Sequence, residues 1–396
     1  MTGPALSVAL LAHSTNPRGG VVHALELADS LAGLGHRAVV HAPDAGGRGF
    51  FRRTRCGTVA VPARPVSGGL GALVETRIAD YLAFFERPGA VERFDILHAQ
   101  DGISGNALAT LRERGRIPGY VCTVHHLDAF EDAAVEARQW RAIRNADRVL
   151  CVSALWQERL LREHGIAATP VGNGVDTRRF TPQPAPRDDA LRARLGLGTG
   201  PVFLSVGGVE ERKNSARLLD AFLRVRAVLP AAQLVIAGGA TLLDHGAEVR
   251  AFEGLIAAHG VAVGPGAPVV RTGPLPDGDM PALFRIADAL VFPSLREGFG
   301  LVVLEAMACG TPCVVSAIAP FTEHLAPDDA LWADPCDVAS IAAAMGEAVK
   351  PGRASALRAA GLRRAALMGW DRCARRHRTV YTELWNQWST RAPCPR

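Results

Sequence analysis

Short apolar runs alternate with amphipathic stretches along the whole chain. SVALLAHS (7–14) is apolar enough for a buried strand. GGVVHALELADSLAGLGH (19–36) follows with Val22, Leu25, Leu27, Ala28 and Leu31 at helical spacing, and Gly33 and Gly35 mark its end. RAVVHAP, DILHAQD (95–101), YVCTVHH (120–126) and RVLCVS (148–153) read as further strands, each with a helical segment after it. PVGNGVDTRRFTPQPAPRDDA (170–190) interrupts the rhythm with proline, glycine and charge and reads as a linker. The pattern then restarts with PVFLSVGG (201–208), AQLVIAGG (232–239), VVRTGPL (269–275), ALVFPS (289–294) and PCVVS (312–316). Strand-helix-strand order of this kind predicts parallel sheets covered on both faces.

The expected fold class is therefore α/β: two doubly wound Rossmann-like domains in series, facing each other across a cleft. The expected boundaries are 1–180 for the first domain, 181–370 for the second, and 371–396 for a C-terminal helix crossing back to the first. Ligands of such sheets bind beyond the carboxyl ends of the strands, so the motifs at those ends carry the functional reading.

Composition narrows the partners. The 396 residues are 48% hydrophobic and 21% charged, with a formal charge of +5. Aromatics at 6% and no concentrated basic stripe argue against a nucleic-acid binder; an anionic small molecule suffices. The basic residues are almost all arginine, and only Lys213 and Lys350 are lysine. The eight cysteines form no C-x-x-C, and near Cys309 and Cys313 no further pair completes a zinc site. They read as reduced cytosolic thiols in apolar gaps. The N-terminus lacks the basic region of a signal peptide, and no apolar run reaches the ~18 residues of a membrane span. GRGFFRRTRCG (48–57) sets two phenylalanines beside Arg52, Arg53 and Arg55. It reads as a solvated loop, with docking on anionic lipid at the inner membrane face as the alternative.

Four stretches carry candidate chemistry. In SLREGFGLVVLEAMACGTPCVVS (294–316), Gly298-Phe299-Gly300 leads from a strand end into a helix, where glycine permits close approach of a ligand and first-turn amides suit a diphosphate. Glu305 lies five residues further, about 7.5 Å along a helix axis, which matches the step from a phosphate to a ribose. Glu297, on the other side of the glycines, is placed to meet a sugar. In SVGGVEERKNSARLLDAF (205–222), a strand ends in Gly207-Gly208 before Arg212, Lys213 and a helix capped at Asn214 or Ser215. Two cations at a helix start can neutralise a diphosphate without a metal. Gly19-Gly20, after the first strand, makes a phosphate-compatible turn that is neither a Walker loop nor G-x-G-x-x-G. His125, His126 and Asp128 follow the strand of VCTVHHLDAF and could orient a sugar hydroxyl or move a proton; a metal on those three is the minor alternative. His98 and Gln100 are further candidates.

Glu297 to Glu305, E-G-F-G-L-V-V-L-E, resembles the E-x7-E motif of family 4 retaining glycosyltransferases, which have the GT-B fold. The resemblance extends over nearly the whole chain: PVGNGVDTRRFTP is similar to the family's linker, GPLPDGDMPALFRIADALVFPSLREGFGLVVLEAMACGTPCVVS to its core signature, and GWDRCARRHRTVYTELW to its closing helices. The opening HSTNPRGGVVHALELADSLAGLGH looks like an actinobacterial-type subgroup. The resemblance implies transfer of a sugar from a nucleotide-diphosphate sugar to a small-molecule, glycan or lipid acceptor, with no metal cofactor. It implies that Glu305 holds the ribose and Glu297 the donor sugar. Lys213 and a nearby arginine would hold the diphosphate, and Gly19 and Gly20 would close over it. Gly207, Leu275, Gly298, Phe299 and Gly300 complete the donor site, and His125, with His126 as runner-up, is the sugar-facing histidine. One departure stands out: the family usually reads Gly-Arg where this chain has Gly207-Gly208, and Arg212 is the candidate to supply the missing cation. The competing readings are a catalytically silent nucleotide-sugar-binding protein and a sugar-nucleotide epimerase on a related fold.

Overall fold

The computed structural model describes residues 4–239 and 246–390. Its chain divides into two compact units, one of residues 1–173 with 370–396 and one of residues 174–369. In the first unit, β1 (Ser7–Leu11), β2 (Arg37–Asp44), β3 (Gly57–Pro62), β4 (Ile96–Ala99), β5 (Val121–Val124), β6 (Arg148–Cys151) and β7 (Ala168–Pro170) form one parallel sheet in the order β3-β2-β1-β4-β5-β6-β7. In the second, β8 (Val202–Val206), β9 (Gln233–Ala237), β10 (Val269–Gly273), β11 (Ala289–Phe292), β12 (Cys313–Ser316) and β13 (Leu331–Ala333) form another parallel sheet, ordered β10-β9-β8-β11-β12-β13. Both sheets are doubly wound. In each the strand order reverses beside the first strand of the unit, between β1 and β4 and between β8 and β11, and such a reversal opens a crevice at the carboxyl ends.

Burial accounts for the runs that read as strands. β1, β4, β5, β9, β11 and β12 are buried along almost their whole length, as parallel strands covered by helices must be. β3, β7 and β13 lack such a run. They sit at sheet edges, two are three residues long, and β3 buries little more than Val61.

The segment 170–190 is less of a linker than its composition suggests. Residues Pro186–Leu195 form a helix with proline in its first turn, and the Ala185 amide donates to Asp188 Oδ2 at 3.1 Å. Asp188 also receives a two-pronged bond from Arg285 at 2.6 and 2.8 Å, which ties this helix into the second unit. The arginine-rich loop is also turned inward in part. Phe50 and Phe51 pack against the core of the first unit, and Arg52 Nη2 donates to Glu26 Oε1 at 2.7 Å. These residues serve the core, and do not stand out for a lipid surface.

The tail is a helix, Trp370–Ser389, belonging to the first unit. Ala374, Val380, Tyr381, Leu384 and Trp388 join the same apolar cluster as Leu25 and Leu27 of the Gly19–Gly33 helix. The join has a polar centre: Tyr381 Oη and His98 Nδ1 are 2.6 Å apart, and His98 Nε2 is 2.7 Å from Thr123 Oγ1. Cys394 lies outside the described residues.

His41 on β2 is fully buried among Phe84, Phe85 and Phe94, and burial, reinforced by Arg93, lowers its pKa to about 3. The unfolded chain protonates this ring below about pH 6.5 while the folded chain keeps it neutral, so stability falls with pH from there down to the folded value. Replacing the ring by leucine removes that loss. Thermal or urea unfolding of His41→Leu between pH 6.5 and 4 is expected to show a slope shallower by up to about 1.4 kcal/mol per pH unit; an unchanged slope counts against a neutral buried ring.

Candidate active site

The carboxyl ends of β8 and β11 lie side by side at the reversal of the second sheet, so the chain segments leaving them meet. Gly207 and Gly208 follow β8, and a short turn, Glu211–Lys213, brings the two cations back over the strand ends. The Leu295 amide donates to the Arg212 carbonyl at 2.9 Å, which stitches the two exits together. Asn214 fixes the turn. It adopts φ 60°, and its side-chain amide donates to the Pro293 and Pro335 carbonyls at 3.0 and 2.6 Å. The helix Ser215–Val228 begins after it with no side-chain cap, so Asn214 holds strand exits together and does not cap the helix with its side chain.

Glu297 is the hub. Lys213 Nζ donates to its Oε1 at 2.6 Å and Arg212 Nη1 donates to the same oxygen at 2.7 Å. Lys213 and Glu297 are 7% and 8% exposed, so this pair is nearly out of water. Lys213 Nζ also sits 4.0 Å from the centre of the Phe292 ring, and Arg212 Nη2 is 3.5 Å from Glu210. Burial opposes ionisation of Glu297, but Lys213 and then Arg212 outweigh it and hold the carboxyl below its usual pKa. Burial lowers the Lys213 pKa, and Glu297 works against that effect. Two cations and two carboxylates thus meet in one place, where the spacing had separated a sugar end from a phosphate end.

Glycine geometry explains the departure at Gly208. Its φ is +80°, and a Cβ there would lie 2.9 Å from the Gly239 carbonyl oxygen. A side chain cannot be accommodated without moving the backbone. At Gly207, φ +132°, a Cβ would press on the aliphatic stem of Lys213. Gly239 in turn lies against Pro274, with half-buried Leu275 next along the chain. Arg212, four residues on, is the second cation beside Lys213 at Glu297.

On the other side of Glu297, Gly300 takes φ +91° with Phe321 filling the place of its absent Cβ, and the helix Leu301–Ala308 starts there without a side-chain cap. Phe299 is buried and stacks on His324 with ring centres 4.3 Å apart. It supports the turn; its face is taken. Glu305 is half-buried in the first turns of that helix, whose Val303, Leu304, Ala306 and Met307 are all buried.

In the first unit the reversal lies between β1 and β4. Gly20, in the first turn of the Gly19–Gly33 helix, is packed so that a Cβ would lie 3.3 Å from His125 Cδ2; at Gly19 a Cβ would meet nothing within 4 Å. His125 Nε2 lies 3.0 Å from Gln100 Oε1. The Gln100 side-chain nitrogen is buried with no hydrogen-bond partner among the described residues, so the pair has an unused donor. Burial, with His23 and His126 adding to it, holds the His125 ring well below its ordinary pKa and so neutral. His126 is separate: it is exposed and pairs with Asp128 at 3.0 Å. The three do not assemble as a metal-ligand set. Both nitrogens of His98 are engaged by Tyr381 and Thr123, which makes it part of the core.

The sequence model of the family described as Glycosyltransferase Family 4 matches residues 17–179, and that described as Glycosyl transferases group 1 matches residues 188–360. Between them they cover most of both units. The chain belongs to glycosyltransferase family 4. Its fold is GT-B. Among similar proteins, the D-inositol 3-phosphate glycosyltransferase of Salinispora arenicola is 31% identical over 283 residues, 64% of this chain and 62% of that one. The protein of the same name from Mycobacterium tuberculosis is 31% identical over 262 residues, covering 61% of this chain and 52% of that one. The chain thus spans between half and two thirds of these relatives' length. Among solved structures, the sucrose-phosphate synthase of Thermosynechococcus elongatus superposes with a TM-score of 0.78 at 24% identity, covering 96% of this chain and all of that one. The catalytic domain of starch synthase IV from Arabidopsis thaliana, bound to ADP and acarbose, gives 0.77 at 14% identity over 97% of this chain and all of its own. Anabaena HepE in complex with UDP and glucose gives 0.72 at 18% over the same shares.

Cutting one partner from the Lys213–Glu297 pair leaves a buried charge uncompensated. Glu297→Ala is expected to lower unfolding stability by roughly 3 kcal/mol. The double variant Lys213→Met/Glu297→Leu is expected to recover most of it, because an apolar pair of similar volume fits the same space. Urea unfolding of the single and double variants measures both, and equal losses in the two would contradict a coupled buried pair.

Proposed function

We propose that this family 4 chain is a retaining glycosyltransferase that moves a sugar from a nucleotide-diphosphate sugar to a hydroxyl-bearing acceptor. The observation that carries the reading is the convergence of Arg212 and Lys213 on one oxygen of Glu297 at the strand reversal of the second unit. The 174–369 unit then binds the donor, and the unit of 1–173 with 370–396 selects the acceptor. UDP and ADP, held by HepE and starch synthase IV, are diphosphates of the kind such a pair of cations suits.

Breaking the sugar–phosphate bond places negative charge on the departing diphosphate and positive charge on the ring. Arg212 and Lys213, already oriented, stabilise the leaving group more than the ground state, which lowers the barrier. The glycine at 300 and the open helix start behind it add amide donors. With no donor bound, Glu297 holds both cations in place; with the diphosphate between them, its carboxylate is released towards the sugar hydroxyls. Glu305 takes the ribose hydroxyls, and Gly207, Leu275 and Gly298 shape the walls around the donor, with Phe299 bracing the turn from behind. Attack from the face the phosphate leaves, with that phosphate taking the acceptor's proton, retains configuration without an enzymic nucleophile. The neutral His125, steadied by Gln100, is suited to hydrogen-bond a sugar hydroxyl.

Thermal unfolding in the presence of UDP, GDP, ADP and their sugars tests the reading. At least one nucleotide is expected to raise the melting temperature, since a ligand at about 100 times its Kd adds about 2.7 kcal/mol. The Lys213→Met/Glu297→Leu variant is expected to stay folded and lose that protection. Protection by none of them overturns the assignment, and NMR of the transferred sugar's anomeric configuration decides retention.

A further inference from the structure

The first unit holds a second cluster of chemistry that the donor reading leaves unused. His23, on the Gly19–Gly33 helix, and Cys373 and His377, on the C-terminal helix Trp370–Ser389, come together in the core. One nitrogen of each ring and the Cys373 sulfur lie within 4.8 Å of one another. His23 and His377 are 0% exposed and Cys373 1%.

The hydrogen bonds around this cluster are arranged in a telling way. His23 Nδ1 is 2.6 Å from Asn173 Oδ1, an acceptor, so that nitrogen carries the proton. His377 Nδ1 is 2.9 Å from the Cys373 carbonyl oxygen, with the same result. Each ring is thereby left with a bare lone pair on Nε2, and neither Nε2 has a hydrogen-bond partner among the described residues. A buried acceptor without a donor is costly, and this one cluster contains two of them. An imidazole that donates Nδ1–H to a carbonyl oxygen and offers Nε2 has the protonation state and outer support of a metal ligand. Cys373 and His377 are four residues apart on one helix face; the thiol lies 3.5 Å from His377 Nδ1 and donates to the Gly172 carbonyl oxygen at 3.3 Å, a bond it exchanges for the ion. Ligand atoms around a tetrahedral zinc ion are about 3.3–3.8 Å apart, so the cluster needs side-chain rotation only. The rings of Trp370 and His125 stack edge-on against His23 at 5.4 and 4.7 Å and close the surroundings.

We propose that His23, Cys373 and His377 form a buried structural site for a borderline divalent cation of the zinc class, distinct from the donor machinery. The ion joins the helix after β1 to the C-terminal helix. Asn173 orients one ligand, and the Cys373 carbonyl orients the other. Binding converts the Cys373 thiol to a thiolate and releases its proton to solvent. Because His23 also packs on His125, the site steadies that ring as well. The assignment rests on the first unit alone and stands or falls apart from the glycosyltransferase reading.

The test uses the full untagged chain. After dialysis against zinc and then against metal-free buffer, mass spectrometry of the metal content is expected to find about one zinc per chain. Replacing zinc by Co²⁺ is expected to give a thiolate-to-cobalt charge-transfer band in the near ultraviolet. Cys373→Ser is expected to abolish the band and His377→Gln to weaken zinc retention at least tenfold. Cys336→Ser, which removes the one exposed thiol among the described residues, is expected to leave both unchanged. A chelator is expected to lower the melting temperature of the wild type and leave that of Cys373→Ser where it was. The proposal is overturned if wild-type protein retains no zinc, if cobalt binds without a thiolate band, or if the band follows Cys336. The cobalt spectrum of the wild type gives the answer even if a variant fails to fold.

Discussion

A carboxylate removed from water stays ionised only when the charges around it compensate what hydration would have supplied. Glu297 meets that demand with Lys213 and Arg212 on a single oxygen. The arrangement constrains everything near it. The backbone after β8 must turn sharply enough to bring two consecutive cations over the strand ends, which accounts for Gly207, Gly208 and the left-handed Asn214. The loop after β11 must deliver Glu297 to the same point, and the Leu295-to-Arg212 bond fixes that meeting.

The topology makes the meeting possible. β8 and β11 are neighbours although 82 residues separate Val206 from Ala289, because the chain winds first to one side of β8 and then returns to the other. The same reversal in the first unit sets β1 beside β4 and brings Gly20, Gln100 and His125 together from three separate strand ends. Each unit therefore gathers its polar residues at the place where parallel sheets have a natural opening, while the strands behind them remain apolar.

Much of this was legible in the chain. Strands buried on both faces are continuous apolar runs, so those carrying Lys213, Glu297 and His125 stood out. Glycines at strand ends marked the turns, and the rarity of lysine drew attention to Lys213. Of the four edge strands β10 was legible but β3, β7 and β13 were not: β7 ends in proline, and β3 faces solvent along most of its length. Nor was the direct contact between Glu297 and the two cations: the residues are more than 80 positions apart, and spacing within one motif says nothing about a partner in another. The pairing of His23 with Asn173, and of His98 with Tyr381, was hidden for the same reason. The helix Pro186–Leu195 was masked by charge, and only its distant partners, Arg285 for Asp188 and Asp279 for Arg194, show that the charge is spent internally.

The first unit is discontinuous in the chain: its sheet is complete by residue 170, but the helix that covers Leu25 and Leu27 comes only after residue 369. A ribosome therefore releases that sheet long before it makes its cover, and the 174–369 unit emerges whole in between. Until Tyr381 reaches His98, the nascent protein carries an open greasy groove with an unanswered histidine in it. Termination between residues 370 and 380 would leave that groove without Tyr381, Leu384 and Trp388, with the 174–369 unit intact, and the product would be a target for chaperones or proteases rather than a weaker version of the same protein.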